Sequence, residues 1–546
     1  MHHAHLLMLA IGATMTFSAA AQDAAAPPPI RVMLRARSGG ADRLTPLRYI
    51  GGFETKTLLY ETLVRRGQDG RIVPGLASRW WIDDDGRTCH FELREGALFH
   101  DGKPVTASAV CVHFQRWIGL PEHDWLPVNR YLRGVEVESE RVFAVKLEQP
   151  YSLLADLCAV NPCAIVGPGA RDWEGEFQRP MGTGPFRFLG SFDDCKRWRI
   201  ARTEPGGPVV DVTFAPRGRD TTPIDALQRG EIDAFVGGWD EDLPGERLDE
   251  LARDPRFVVQ TAPGSSVAYV SFRLSEGPTA DVAIRRRIAA AIDRQALIDA
   301  VEGARADAST TWAAPSVAFW PRSNTKAGAP RPAEAAAGAT PIVLRLAAGR
   351  GTGRAARIAE AVKGQLERAG FQVELLARPA ARVDSEGEKR PQPGAGGTEG
   401  TVRPLDDESG EVRAARNRAV REAAEAADLR IEITHGVPYC PHESLVARFG
   451  PVRAKNHDEP RPRTGVDPRL QALVAAAMST PDEAACIPIY AEIQALMDAE
   501  ALIVPLYSPR RVALRTAGVD GISLGIDVYR VDLTGLRRVQ ANTEHR

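Results

Sequence analysis

Residues 80–118 pack two turns and a helix cap into a short span, and this local chemistry constrains the fold more than any other stretch. Trp80-Trp81-Ile82 runs into Asp83-Asp84-Asp85-Gly86, a turn sequence whose last residue tolerates positive φ. Cys89, Phe91 and Leu93 then alternate with His90, Glu92 and Arg94, the period-2 pattern of a half-buried strand. A second turn, His100-Asp101-Gly102-Lys103-Pro104, precedes Thr106, which stands where an N-cap belongs for a helix carrying Val110, Phe114 and Trp117. Strand, loop and helix are all specified locally.

The remaining pattern also alternates strand and helix. Residues 30–36 and 141–147 read as strands, and the glycine turn Met181–Pro185 leads into a strand over Phe186–Leu189. Residues 281–301 place Ile284, Ile288, Ala291, Ile292, Leu297, Ile298 and Val301 on one stripe, which predicts a single amphipathic helix. Residues 341–377 read as strand, glycine turn, helix and strand. Residues 384–412 are rich in Gly, Pro and charge without periodicity, and are expected to be an exposed, disordered insertion. A helical stretch over 412–426, a strand Leu429–Thr434 and a buried strand Leu502–Tyr507 follow.

At 546 residues the chain should hold two or three packed units. Lys and Arg total 69 against 71 Asp and Glu, and no half of the chain is strongly basic, which argues against a nucleic-acid binder. The start reads as a secretory signal over residues 1–21: histidines, the apolar run Leu6–Phe17, then Ser18-Ala19-Ala20-Ala21. Pro27-Pro28-Pro29 would end any core helix there. No other stretch approaches the roughly 18 apolar residues of a membrane span, so an exported, soluble chain is expected. The seven cysteines (89, 111, 158, 163, 195, 440 and 486) match no zinc spacing. Most are expected to be small buried hydrophobes, with Cys158 and Cys163 as one candidate bridge.

Several catalytic or nucleotide motifs fail on inspection. Gly349, Gly351 and Gly353 lack the dinucleotide spacing because residue 354 is Arg. His442-Glu443 begins a zinc-protease motif, but Val446 occupies the second histidine position. Gly264-Ser265-Ser266-Val267 lacks the second glycine of a nucleophile elbow. The segment Thr434–His442 follows a strand and holds two prolines, so it reads as a rigid loop at a strand end. Its His435 and His442 stand either as a ligand wall or metal contact, or as ordinary packing.

An ordered set of segments carries a resemblance. They are Leu59–Val64, Val73–Trp80, Phe91–Gly102, Met181–Phe186, Gly230–Asp233, Ile284–Arg294 and Pro505–Tyr507. From about residue 30 to 540 the chain resembles the peptide/nickel family of extracellular solute-binding proteins, family 5. His123–Leu126, Ala314–Val317 and Gly436–His442 are similar to segments of its nickel-binding branch. The resemblance implies an α/β fold like periplasmic binding proteins of type II, with two lobes, a small α/β extension and an inter-lobe cleft. Lobe I would take 28–60, 185–275 and 505–546, the extension 61–184, and lobe II 276–504. It further implies a non-enzymatic periplasmic monomer that serves ABC permease subunits at the inner membrane and needs no resident cofactor. Its ligand would be Ni(II) held by a small organic chelator.

The same resemblance supplies the candidate ligand-binding residues: Trp125, Tyr439, His435, Asn161, Arg453 and Phe53. Trp125 and Tyr439 match a pocket tryptophan and tyrosine. The arginine that anchors a chelator carboxylate falls on Asn161, a second pocket tryptophan on His435, and a metal-touching histidine near Arg453. Without a guanidinium at 161, bidentate carboxylate recognition is lost there. Arg453 would restore an anion contact, and His435 or His123 a metal contact. Two other readings stay open. A di- or oligopeptide receptor would need a carboxylate for the ligand's amine, with Asp124 or Glu443 available. An exported hydrolase would use His435 or His442, without a recognisable nucleophile.

Overall fold

A computed structural model describes residues 27–34, 41–48, 53–124, 126–171, 177–193, 196–214, 222–237, 243–322, 341–348, 353–376, 422–423, 425–434, 436, 441–450 and 461–539. Three sheets of four or more strands organise them. The first has seven strands in the order Phe257–Ala262, Arg511–Thr516, Ala234–Val236, Ile30–Leu34, Val209–Phe214, Arg197–Arg202 and Phe186–Phe192. Its central strand Ile30–Leu34 runs parallel to both neighbours and buries Ile30, Val32 and Leu34. A parallel centre covered on both faces explains why that strand reads as a nearly unbroken apolar run.

The second sheet has six strands: Ala306–Ala308, Ile503–Pro509, Ala268–Phe272, Leu429–Ile433, Val343–Ala348 and Gln372–Leu376. Its parallel edge is the expected strand–helix–strand unit, in which the helix Gly353–Arg368 buries Ile358, Val362 and Leu366 at i, i+4 and i+8. The third sheet is the antiparallel array Ala77–Ile82, Thr88–Leu93, Val142–Leu147 and Leu132–Val137. Here the local signals hold. Gly86 and Gly102 have φ of 68° and 81°, and Cys89, Phe91 and Leu93 are buried. Thr106 Oγ1 accepts from Ala109 N at 3.2 Å, capping the helix Ala107–Phe114. That helix and the loop after it press Phe114 and Trp117 into the extension's core with Phe91 and Phe143. Each such ring contributes roughly 1.5–3 kcal/mol by burial.

The described chain passes between the first two sheets twice, at 263–267 and at Arg510. The two passages touch: a Cβ on Gly264 would overlap the Pro509 carbonyl oxygen. Gly264 O accepts from Ser316 Oγ at 2.6 Å and Ser508 Oγ at 3.1 Å, while Ser265 Oγ donates to Ile526 O at 2.6 Å. These crossings lie outside the boundaries expected after residues 275 and 504. Strands Ala268–Phe272 and Ile503–Pro509 pair with each other in the second sheet, so both belong to lobe II.

The extension also meets lobe II directly. Ser152 N donates to Met478 O at 2.8 Å, and Ala318 N to Asp69 O at 3.1 Å. Buried Arg66 pairs with Glu483 at the start of the helix Glu483–Ala499. Asp156, whose carboxyl is pushed up by burial, shares a hydrogen bond with Glu443.

Two expectations change. The stripe over 281–301 is two helices, Val282–Ala291 and Arg294–Val301. Ile292 turns extended and Asp293 caps the second helix, accepting from Ala296 N at 3.0 Å. Cys158 and Cys163 do not form a bridge; both are buried free thiols, as are Cys89, Cys111 and Cys486. Their Sγ atoms sit near the carbonyls of Leu154 and Asp156, at 3.4 and 3.5 Å. The leader 1–21, the insertion 384–412, residues 412–421 and 424, Cys195, Cys440, Gly349 and Gly351 lie outside the described residues. Among the described residues, no helix is long and apolar enough to cross a membrane.

Candidate functional site

The helix cap in the extension begins a chain of contacts that ends at a candidate ligand residue. The helix it starts carries His113, whose Nε2 donates to Pro162 O at 3.0 Å. Burial drives this imidazole down to a pKa of about 4, so it stays neutral. Its bond holds the short segment Val160–Cys163, and with it Asn161, which is 2% exposed.

Asn161 faces the helix Phe53–Leu59 of lobe I. Lys56 on that helix is fully buried, and its Nζ donates to Asn161 Oδ1 at 3.1 Å and to Arg48 O at 2.7 Å. Burial lowers this ammonium to a pKa of about 7, with Glu54 two residues away pulling it partly back. Phe53 opens the helix, with its ring centre 5.4 Å from Lys56 Nζ and 5.6 Å from the ring of Tyr529. Tyr529 arrives from the C-terminal segment. Its backbone N–H donates to Asp527 Oδ1 at 2.9 Å, and buried Arg511 holds the preceding turn through Gly525 O and Asp527 O, both at 2.8 Å.

Two of the six sequence-predicted ligand residues, Phe53 and Asn161, thus lie on either side of Lys56. Lys56 and Tyr529, which contact these two candidates, were not among the residues the sequence singled out. A lone lysine within FETKTLL was the available signal for the first; nothing marked the second.

The other side of the site begins at the crossing. Thr434 N donates to Val267 O at 2.9 Å, and Val267 N donates back to Thr434 Oγ1 at 2.8 Å. Gly436, at φ 69°, backs onto Ser265 so closely that a Cβ would come 2.6 Å from Ser265 Oγ. The loop after Leu429–Ile433 is therefore rooted on the crossing itself. His435, Tyr439, Trp125 and Arg453 lie outside the described residues.

His442 is not in that loop. Pro441 begins the helix Pro441–Phe449, and the His442 ring is fully buried with Nδ1 2.8 Å from Tyr490 Oη. Burial lowers its pKa to about 3, and the ring serves as core. His123, the second metal candidate, is buried in the extension, edge-on to Trp117 with ring centres 6.4 Å apart. Asp124 accepts from Asn129 Nδ2 at 2.9 Å. Among the described residues, no cluster of three His, Cys, Asp or Glu side chains could hold a metal. A separate cavity of about 200 Å³ lies where residues 65–68 face residues 523–532, and none of the sequence-predicted site residues lines it.

Comparison with known proteins now adds to this geometry. Residues 71–408 match the model of the bacterial extracellular solute-binding proteins, family 5. The chain belongs to this family. It is 26% identical over 274 residues to the nickel-binding periplasmic protein of Escherichia coli, covering 48% of this chain and 52% of that one. It is 27% identical over 283 residues to the glutathione-binding protein GsiB of Salmonella typhi, covering 49% and 54%. The matched region thus spans about half the length of these curated relatives. Among solved structures, an ABC transporter substrate-binding protein from Sinorhizobium meliloti superposes with a TM-score of 0.72 at 22% identity, covering 94% of this chain and all of that one. NikA from Brucella suis in complex with Fe(III)-EDTA follows at 0.70 and 21%, covering 93% and 100%. At such identity these likenesses speak for the fold, which is that of the type II periplasmic binding proteins.

Proposed function

We propose that this family 5 chain is the periplasmic solute-binding component of an ABC importer. Its ligand is a metal ion, nickel first, carried by a small organic chelator and gripped between the two lobes. It catalyses no bond change, and occupancy is passed to a membrane permease by closure of the lobes. The observation that carries the reading is the pair of touching crossings at 263–267 and Arg510, with a lobe I wall and the root of a lobe II loop both beside them. Clefts between lobes are favoured ligand sites, and a hinge lets both sides contact the guest only when closed. The choice of ligand follows the nickel-binding relative and the Fe(III)-EDTA complex of the structural neighbour. In this reading Trp125, Tyr439, His435, Arg453, Phe53 and Asn161 line the guest, and His435 reaches its metal, since His123 is packed into the extension's core.

Thermal unfolding with added ligands tests this, because a ligand of the folded state raises the midpoint by mass action. Nickel with histidine is expected to raise it and peptides to leave it unchanged. A shift with glutathione or short peptides and none with nickel–histidine would replace the chelate with a peptide, in line with the glutathione-binding relatives.

A further inference from the structure

We propose that the cavity between residues 65–68 and 523–532 is a second binding site, which takes a small dianion such as phosphate or a short dicarboxylate. Arg65 and Arg530 are the groups that hold it, and none of the candidate chelate-binding residues lines the cavity. Its volume of about 200 Å³ falls below the roughly 300 Å³ at which pockets for drug-sized ligands begin, so a small ion suits it. Three arginines face the space. Buried Arg66 is already committed, donating to Gly70 O at 2.9 Å and pairing with Glu483. Arg65 and Arg530 have no side-chain hydrogen bond or ion pair among the described residues. Burial, and then the charge of Arg530, lower the pKa of Arg65, so the two guanidiniums repel each other across the cavity.

The carboxylates of the lining do not answer that surplus of donors. Asp532 Oδ1 accepts from Thr534 N at 2.9 Å and from Thr534 Oγ1 at 2.6 Å, and Asp527 Oδ1 accepts from Tyr529 N at 2.9 Å. Both acids thus serve turns of their own loop. Burial also pushes the Asp527 carboxyl up, against its charged form. A dianion with two oxygen edges gives each guanidinium a bidentate, charge-assisted partner and removes their repulsion. A monoanion such as acetate has one edge and satisfies one arginine. Both sides of the cavity are formed beforehand. Gly67 N donates to Arg71 O at 2.8 Å in the hairpin, and Ser523 N to Asp532 O at 3.0 Å across the base of the loop. Arg511 fixes the same loop through Gly525 O and Asp527 O. Binding therefore orders little beyond two side chains, and the anion ties the extension to the C-terminal segment.

Calorimetric titration of the full chain tests this, with inorganic phosphate, malonate and acetate as probes at constant ionic strength in chloride. At mildly alkaline pH, where phosphate is mainly dianionic, phosphate or malonate is expected to bind about 10-fold more tightly than acetate. The tighter of the two identifies phosphate or dicarboxylate chemistry. Arg65→Met and Arg530→Met should each weaken that dianion by about 10-fold. Arg71→Met removes the same charge from the same hairpin but not from the cavity, and should leave affinity unchanged. Melting curves check that all three variants fold. Wild type that binds neither dianion better than acetate overturns the proposal, as does an equal loss in Arg65→Met and Arg71→Met. Neither outcome touches the chelate reading, which nickel–histidine binding tests on its own.

Discussion

The two places where the lobes meet are built in opposite ways. At the crossings the contacts are backbone, glycine and buried hydroxyl: Gly264 against Pro509, Thr434 with Val267, and three serines on carbonyl oxygens. Between the extension and lobe II they are a few backbone bonds and two side-chain pairs, Arg66 with Glu483 and Asp156 with Glu443. The first kind cannot part without stranding buried polar groups. The second relies on charged and titratable side chains, buried Arg66 and Asp156 among them. One seam is held by close packing and neutral hydrogen bonds, the other by charged pairs.

The strongest way to break this comparison is at Gly264. Gly264→Ala should destabilise the protein by about 3 kcal/mol in denaturant unfolding, because a backbone carbonyl cannot step aside cheaply. A variant that unfolds like wild type would mean the crossing is looser than described.

Next comes acid. His113 and His442 are held neutral, at pKa values of about 4 and 3 against 6.5 when unfolded. The unfolded chain binds more protons below pH 6.5, so stability is fully present above that value and falls as pH drops toward 4. Each histidine should account for about 2 kcal/mol by pH 5. His442→Gln should flatten the melting-temperature profile between pH 4.5 and 7, and an unchanged slope would remove His442 from this account.

At the seam between the extension and lobe II, Arg66→Met combined with Glu483→Gln in a double-mutant cycle should give a coupling of about 1 kcal/mol, since Glu483 keeps some contact with water. The single Arg66 change should also widen the particle in small-angle scattering, whereas Gly264→Ala should lower stability first. The smallest effect should come from Lys56→Met. Below pH 7 the native protein carries a buried ammonium, so the variant should gain about 1 kcal/mol, the bonds lost to Arg48 and Asn161 offsetting part of the relief. That gain should shrink between pH 7 and 10.5, where the folded protein has already released the proton and the unfolded chain has not.

What could be read from the sequence follows the range of the interactions. The extension was legible because Gly86, Gly102 and Thr106 act within a few residues of themselves. The break at Ile292-Asp293 was hidden because the apolar stripe continues across it, and only the Asp293 cap competes with one long helix. Pro438 and Pro441 made His442 look like part of a loop, yet a proline at the first helical position is well tolerated and here starts a helix. The node at Lys56 joins positions 105 residues apart, and Tyr529 comes from the opposite end of the chain. No local period encodes such a meeting, and the family resemblance pointed to Asn161 and Phe53 without the lysine between them.

The contact of Gly264 with Pro509 has a mechanical corollary. Two adjacent strands act as the spine of a book, so any swing of one lobe takes place about nearly one line. Travel then grows in proportion to distance from that line. Groups beside Val267 and Thr434 therefore shift little in such a swing, while any point remote from that line is carried through a wide arc.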